Sequence, residues 1–231
     1  MPPTELYKRS HHKKIRVSHV CEIGVFSPER STVHDFITRD RTRATLVEPD
    51  PERISAIKKY FADYPAIRLF PFAIYDYNGT LELAQRGEST FATALPFSPA
   101  VINDSYQVRK EDTFSVECKK FDEIDDGSID LLHIDTEGCE WYVLKYLRSR
   151  PGVISLETHG KTYSNPYLPE IRQWMTENEY KRWYISKSDS VYYQQGAFRV
   201  TGWEKVKLDL MDMYIKFRKW RKGIGKKSRP V

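Results

Sequence analysis

The chain has 231 residues, 40% of them hydrophobic, with a formal net charge of +5; this is enough apolar material for one sizeable core and too much for wholesale disorder. No run approaches the roughly 18 apolar residues of a membrane-spanning helix, and the opening MPPTELYKRSHHKKIRV has no apolar core of signal-peptide length, so the expected location is cytoplasmic. Cys21, Cys118 and Cys139 are odd in number, widely spaced and without a CxxC pair, which excludes a disulfide framework and a zinc knuckle and predicts buried, reduced thiols.

The positive charge is uneven. From Trp203 to Val231 there are ten Lys or Arg against three acids, so that segment carries +7 and the remainder −2. This divides the chain into a basic N-terminal arm (1–16), one domain (17–200) and a basic amphipathic C-terminal helix and tail (201–231).

In chain order, VSHVCEIGV reads as a strand breaking at Gly24, followed by a helix from about Pro28 to Ile37. ATLVEPD is a second strand ending at Glu48, and PERISAIKKYFADY is a helix with Ile54, Ile57, Tyr60 and Phe61 on one face. IRLFPFAIYD is a third strand, and Asn78-Gly79 opens another that continues or flanks the sheet. Between Gln85 and Asp112 no period survives, and the segment reads as a long loop shaping a binding pocket. TFSVECKKFDEI resumes as strand and turn, IDLLHIDTEGCEWYVLK as strand and helix, GVISLET as strand, LPEIRQWMTENEY as helix, and the stretch to Val200 as a hairpin. Strands alternating with helices predict an α/β fold, a mostly parallel sheet covered on both faces with an antiparallel hairpin at its end.

In such a sheet ligands bind at the carboxyl ends of the strands. Glu22 and Gly24 stand at the first such end and Glu48 at the second, where a carboxylate can accept bonds from ribose hydroxyls; the pair implies an adenosine-containing ligand. EIGVFSPE lacks the second and third glycines of a dinucleotide loop, which points to a ligand without pyrophosphate, such as S-adenosylmethionine.

VCEIGV, TLVEPDPE, FAIYDYNGTLEL, IDLLHIDTEGCEWYVLK and SLETHG occur in an order and spacing that resemble the FkbM-type S-adenosylmethionine-dependent methyltransferases, over roughly Val17 to Val200. The resemblance implies the seven-stranded class I methyltransferase Rossmann-like fold and O-methylation of a hydroxyl on a sugar, glycan or glycolipid. It also implies a cofactor site containing Glu22, Gly24, Glu48, Ala73 and Asp135. Phe26, Pro28 and Glu29 depart from the family pattern after the first glycine.

Methyl transfer to an alcohol requires the oxygen to be positioned and relieved of its proton. Asp135, Glu157 and His159 close adjacent strands and are the candidate catalytic residues. They could bind a divalent cation such as Mg2+, or His159 could take the proton while a carboxylate orients it. Glu137 and Glu140 read as acids charging the first turn of a helix. Lys187, Ser188 and Asp189 either reach the acceptor or form a simple turn.

Trp203, Val206, Leu210, Met213, Phe217, Trp220 and Ile224 recur at spacings of three and four, with Lys216, Arg218, Lys219, Arg221 and Lys222 near the end of the stripe. Two readings stand open: a helix packed on the domain or on a second subunit as a homodimer, or an interfacial helix at a membrane carrying a lipid-linked acceptor. A nucleic-acid methyltransferase would explain the basic tail, but Asp135 is followed by Thr-Glu-Gly rather than Pro-Pro-Tyr, and the Asn165-Pro-Tyr sequence comes too late in the order. A non-catalytic binding module is the other rival, motivated by Phe26 and Pro28.

Overall fold

The computed structural model describes residues 2–87, 89–95, 97–160 and 163–221. After helix α1 (Glu5–His12), five strands build the parallel part of the main sheet: β1 (His19–Ile23), β2 (Arg43–Val47), β3 (Ile67–Phe70) and, later in the chain, β8 (Leu131–Ile134) and β9 (Val153–Glu157). Helices α2 (His34–Thr38) and α3 (Pro51–Tyr60) intervene among the first three strands.

Between β3 and β8 lies a second sheet. Its strands are β4 (Ala73–Ile74), β5 (Gly79–Arg86), β6 (Ser89–Ala92) and β7 (Thr113–Lys119), with the short helix α4 (Pro99–Asp104) after β6. Helices α5 (Glu140–Lys145) and α6 (Leu168–Glu177) follow β8 and β9, then the hairpin β10 (Tyr180–Ser186) and β11 (Asp189–Gln194), and finally α7 (Gly202–Arg221).

The main sheet has the order β10-β11-β9-β8-β1-β2-β3, with β11 antiparallel to both its neighbours and the other pairings parallel. Its central strands are buried along their whole length, which is why they appear in the sequence as unbroken apolar runs. Alternate residues feed opposite layers. Cys21, Ile23, Leu132, Ile134, Ile154 and Leu156 meet Leu144 of α5 and Ile171 and Met175 of α6. Val20, Leu46, Leu131 and Val153 meet Leu6 of α1, Phe36 and Ile37 of α2, Ile57 of α3 and Trp183. The basic arm therefore contributes a helix and a core residue, and the three cysteines are free and buried as expected.

Three expected elements differ. The single helix over Pro28–Ile37 is instead a short 3-10 turn at Pro28–Arg30 and a separate α2, because Ser31 and Thr32 between them donate to the Glu22 carboxylate rather than to a helix ladder. The third strand divides at Pro71, which sends β4 into the second sheet. The expected loop of 85–112 contains β6, paired antiparallel with β5, and α4, capped by the Ser98 hydroxyl accepting from the Val101 N–H. Ile57 of α3 and Phe61 at its C-cap are buried as expected, while Tyr60 is exposed.

Helix α7 does not pack through its apolar stripe on the domain, the first of the two readings. Its partly buried positions are Glu204, Leu208, Asp212, Ile215 and Lys219, and this face lies against β10. The apolar stripe from Trp203 to Trp220 faces solvent, with Trp203 65% and Trp220 74% exposed. Polar bonds from the other face decide the orientation: Lys13 Nζ to Glu204 (2.7 Å), Trp183 Nε1 to the same carboxylate (3.0 Å), and Arg182 to Asp212. Lys222 and Ile224 lie outside the described residues. Among those residues no helix is long and apolar enough to cross a membrane.

Candidate functional site

At the carboxyl ends of β1, β2 and β8 the sheet opens into a cleft of about 660 Å³, measured to its mouth. The end of β1 forms its floor. Gly24 donates its N–H to Val47 O (3.0 Å) and the Asp135 N–H donates to Ile23 O (2.9 Å), which draws the two turns together. Gly24 has φ +87°, and a Cβ there would stand 1.8 Å from the Asp135 carbonyl oxygen. Only glycine permits that approach.

Glu48 lies at one end of the cleft. Its Oε1 accepts the Asp50 N–H (2.9 Å), while Asp50 caps α3 and pairs with Arg53 (3.2 Å). Burial pushes the Glu48 carboxyl up to about 7, against the pull of the Asp50 N–H and Arg53. The roof is apolar and comes largely from the second sheet: Phe72 before β4, Leu81 and Leu83 of β5, and Phe91 of β6. Ala73 and Ile74 line the same wall. At the rim Phe26 stacks against the Arg53 guanidinium (4.3 Å to the ring centre), with Arg30 at 5.5 Å.

The other end is acidic. Single carboxylate oxygens of Asp135, Glu140 and Glu157 lie within 4.8 Å of one another. Glu140 is fully engaged, accepting from the Thr136 N–H (3.0 Å), the Thr136 hydroxyl (3.1 Å), the Gly138 N–H (3.1 Å) and Asn165 Nδ2 (2.5 Å). It ties down a loop in which Glu137 takes a left-handed φ of +54° beside Gly138 at +117°. Asp135 is exposed along the cleft, but the protein around it excludes most solvent. Burial first, then Glu137, Asp189, Glu140 and Glu22, raise its pKa well above the usual carboxylate range. Burial and then the Asp135 charge do the same to Glu157, whose buried Oε2 has no hydrogen-bond partner among the described residues. Such a nest favours a proton or a cationic ligand.

The model of the methyltransferase FkbM domain matches residues 18–182. The chain belongs to the FkbM methyltransferase family. No curated protein matches it by sequence. Solved structures similar to it include a SAM-dependent methyltransferase from Aquifex aeolicus, at 6% identity over 83% of this chain and 89% of the other, with a TM-score of 0.45. Ribosomal protein L11 methylase from Lactobacillus delbrueckii subsp. bulgaricus matches at 12% identity over 82% and 77%, with a TM-score of 0.44. A mutant of MtNAS in complex with S-adenosylmethionine matches at 10% identity over 82% of this chain, with a TM-score of 0.42; the chain spans 60% of that protein's length. The seven-stranded, mostly parallel sheet with its antiparallel hairpin is the class I methyltransferase fold.

Within this FkbM-family fold, Gly24, Glu48, Ala73 and Asp135 line one cleft. Glu22 does not. It is buried behind β1, where it accepts from the Ser31 hydroxyl and the Thr32 N–H (3.0 Å) and so positions the turn after the strand. Glu157 joins Asp135, but His159 stands apart from the acids and opens on a second cleft beside α7. Burial, then Lys219 and Arg182, lower the His159 pKa to about 4, which makes it a poor proton acceptor. Glu140 stands in the first turn of α5, as expected, and it also braces the preceding loop, with Asn165 of the Asn-Pro-Tyr sequence as a partner. The residues that sequence reasoning missed are the roof, Leu81, Leu83 and Phe91. The alternation in TLEL signals the first two, whereas Phe91 sits in a strand too short to show a period.

Proposed function

We propose that this FkbM-family protein transfers the methyl group of S-adenosylmethionine to a hydroxyl of a sugar, glycan or glycolipid. The observation that carries the reading is one cleft running from Glu48, at the end of β2, to Asp135, with the Glu157 carboxyl close beside Asp135. Glu48 accepts the ribose hydroxyls, the ring-lined roof covers the adenine, and the acids face the sulfonium. The acceptor oxygen attacks the methyl carbon as the carbon–sulfur bond breaks, and its proton passes to Asp135. A carboxyl whose pKa is already raised is a better base than an ordinary one, and Glu157 beside it shares the proton. The same two carboxylates would suit a divalent cation, with Glu140 committed to its loop and His159 turned away; activity lost to EDTA and restored by Mg2+ would select that version.

The test is methyl transfer from labelled cofactor into nucleotide sugars, oligosaccharides and glycolipids. Asp135→Asn is expected to lower turnover by about 100-fold or more while S-adenosylhomocysteine still binds. Wild-type turnover in that variant would remove the assignment. Failure of the wild type to bind S-adenosylhomocysteine would instead favour a non-catalytic module.

The outward stripe of α7 supports a peripheral membrane contact. The helix spends its acids Glu204 and Asp212 on Lys13 and Arg182 of the body. Its outer surface is left with Lys205, Lys207, Lys216, Arg218 and Arg221 against Asp209, together with the two exposed tryptophans. A cationic, aromatic face of this kind suits an anionic bilayer. It suits a second copy less well, because like charges would meet and one helix about 30 Å long offers little of the roughly 800 Å² per partner of a standard interface.

A further inference from the structure

The second cleft lies between α7 and the turn joining β10 to β11. It holds about 820 Å³ to its mouth and is lined by His159, Lys187, Ser188, Tyr214, Arg218 and Lys219, among others. Its charges come from separate segments: Lys187 from the hairpin turn, Arg218 and Lys219 from α7, with Arg172 of α6 close enough to act on Lys219. Lys219 is partly buried and held by the Ser164 hydroxyl at 3.0 Å. Burial, then Arg172 and Arg218, draw the pKa of its ammonium down.

The nearby acids are engaged elsewhere. Asp212 is paired with Arg182, and Asp189, on which Lys187 acts without forming an ion pair, adds its charge to the nest around Asp135. Among the described residues no ion pair joins Lys187, Arg172, Arg218 or Lys219 to a carboxylate. Like charges gathered without a directly paired carboxylate cost Coulomb energy that a single multivalent anion would relieve.

The cleft also adjoins the reacting end of the site. His159 follows Glu157 by two residues, about 7 Å of extended chain, and the N–H groups of Thr158 and His159 both donate to Ser188 O, at 3.1 and 3.3 Å. A group bound by Lys187 and Arg218 would therefore belong to a molecule whose other end reaches Asp135 and Glu157.

We propose that the cleft between α7 and the Lys187–Ser188 turn binds a phosphate-type anionic group carried by the methyl acceptor. Assigning that group to the acceptor rests on the methyltransferase reading; the binding of the anion does not. The phosphate could belong to a soluble sugar phosphate or to a lipid head group, and the two are separated by experiment.

The full chain is titrated with glycerol 1-phosphate and with glycerol at matched ionic strength, and is separately sedimented with vesicles of phosphatidylcholine containing or lacking phosphatidic acid. Lys187→Gln and Arg218→Gln are compared with Lys205→Gln, which removes the same charge outside the cleft. The phosphate ester is expected to bind where glycerol does not, and each cleft variant to weaken it about tenfold or more, with Lys205→Gln near wild type. Sedimentation that depends on phosphatidic acid and on Lys187, without binding of the soluble ester, assigns the lipid source; binding of the ester assigns the soluble one. Equal binding of ester and glycerol with no Lys187-dependent sedimentation, or equal losses in all three variants, overturns the proposal. S-adenosylhomocysteine affinity on the same samples reports separately on the methyltransferase reading, and far-ultraviolet circular dichroism on folding.

Discussion

Burial raises the Glu48 carboxyl from 4.5 to about 7, so between those values the native protein holds a proton that the unfolded chain has released. Stability therefore falls as pH rises through that interval, and above pH 7 the ionised Glu48 costs the cofactor-free protein on the order of 3 kcal/mol. Glu48→Gln should flatten this part of the pH profile, measured by urea unfolding at pH 5 and pH 8. The same variant should weaken S-adenosylmethionine binding by about 1.5 to 3 kcal/mol, because a charge-assisted contact to the ribose is lost. A profile as steep as the wild type's would show that the pH dependence arises elsewhere. The carboxyls of Asp135 and Glu157 are likewise raised by burial and by the charge of neighbouring acids, and a sulfonium arriving beside them should favour their ionised forms and release protons. Calorimetry in buffers of different ionisation enthalpy should show more proton release for S-adenosylmethionine than for the uncharged S-adenosylhomocysteine, and equal release would mean that the acids do not face the sulfur.

At the scale of elements, the turns after β1 and β8 act as one unit. Gly24→Ala would place a methyl group against the Asp135 carbonyl in a left-handed backbone, so it should cost on the order of 3 kcal/mol and lower cofactor affinity with it. A variant as stable as wild type would contradict the geometry, and chemical denaturation decides the matter. Strands β1, β2, β8 and β9 and the cleft-lining positions Gly24, Glu48 and Asp135 were legible because burial on both faces writes a continuous apolar run and the fold opens its cleft where those runs end; Ala73 was legible only through the family resemblance. What was not legible depends on partners distant in sequence. β6 has meaning only beside β5, and Glu140 only with Asn165, 25 residues on. Glu22 looked like a ligand because it stands at a strand end, and nothing local reveals that Ser31 and Thr32 return to cover it. His159 follows Glu157 closely, but its surroundings come from α7.

Over the whole molecule, α7 lines the His159 cleft with one side and turns its apolar stripe toward whatever surface the protein approaches. If that surface is an anionic bilayer, Trp220→Glu should abolish flotation with anionic liposomes while thermal stability stays near wild type, since the side chain is 74% exposed. Unfolding, or the splitting of a dimer in that variant, would show that the stripe packs on protein instead. The attachment of the helix is itself acid-resistant. Burial works to raise the Glu204 pKa, but bonds from Lys13, Thr201 and Trp183 hold it down at about 2. The stabilisation it supplies is complete above pH 4.5 and should disappear only as pH falls toward 2.

The Trp183–Glu204 bond gives this attachment an optical signature. Trp183 is 1% exposed and donates its indole N–H to a carboxylate on α7, whereas Trp203 and Trp220 lie in water. With those two replaced by phenylalanine, the emission of Trp183 would stand against only the partly buried Trp141 and Trp174. A shift to longer wavelength on adding vesicles would mean that the helix lifts away from the body to engage lipid. An unchanged spectrum with bound vesicles would mean that it remains in place and meets the membrane as a rigid keel.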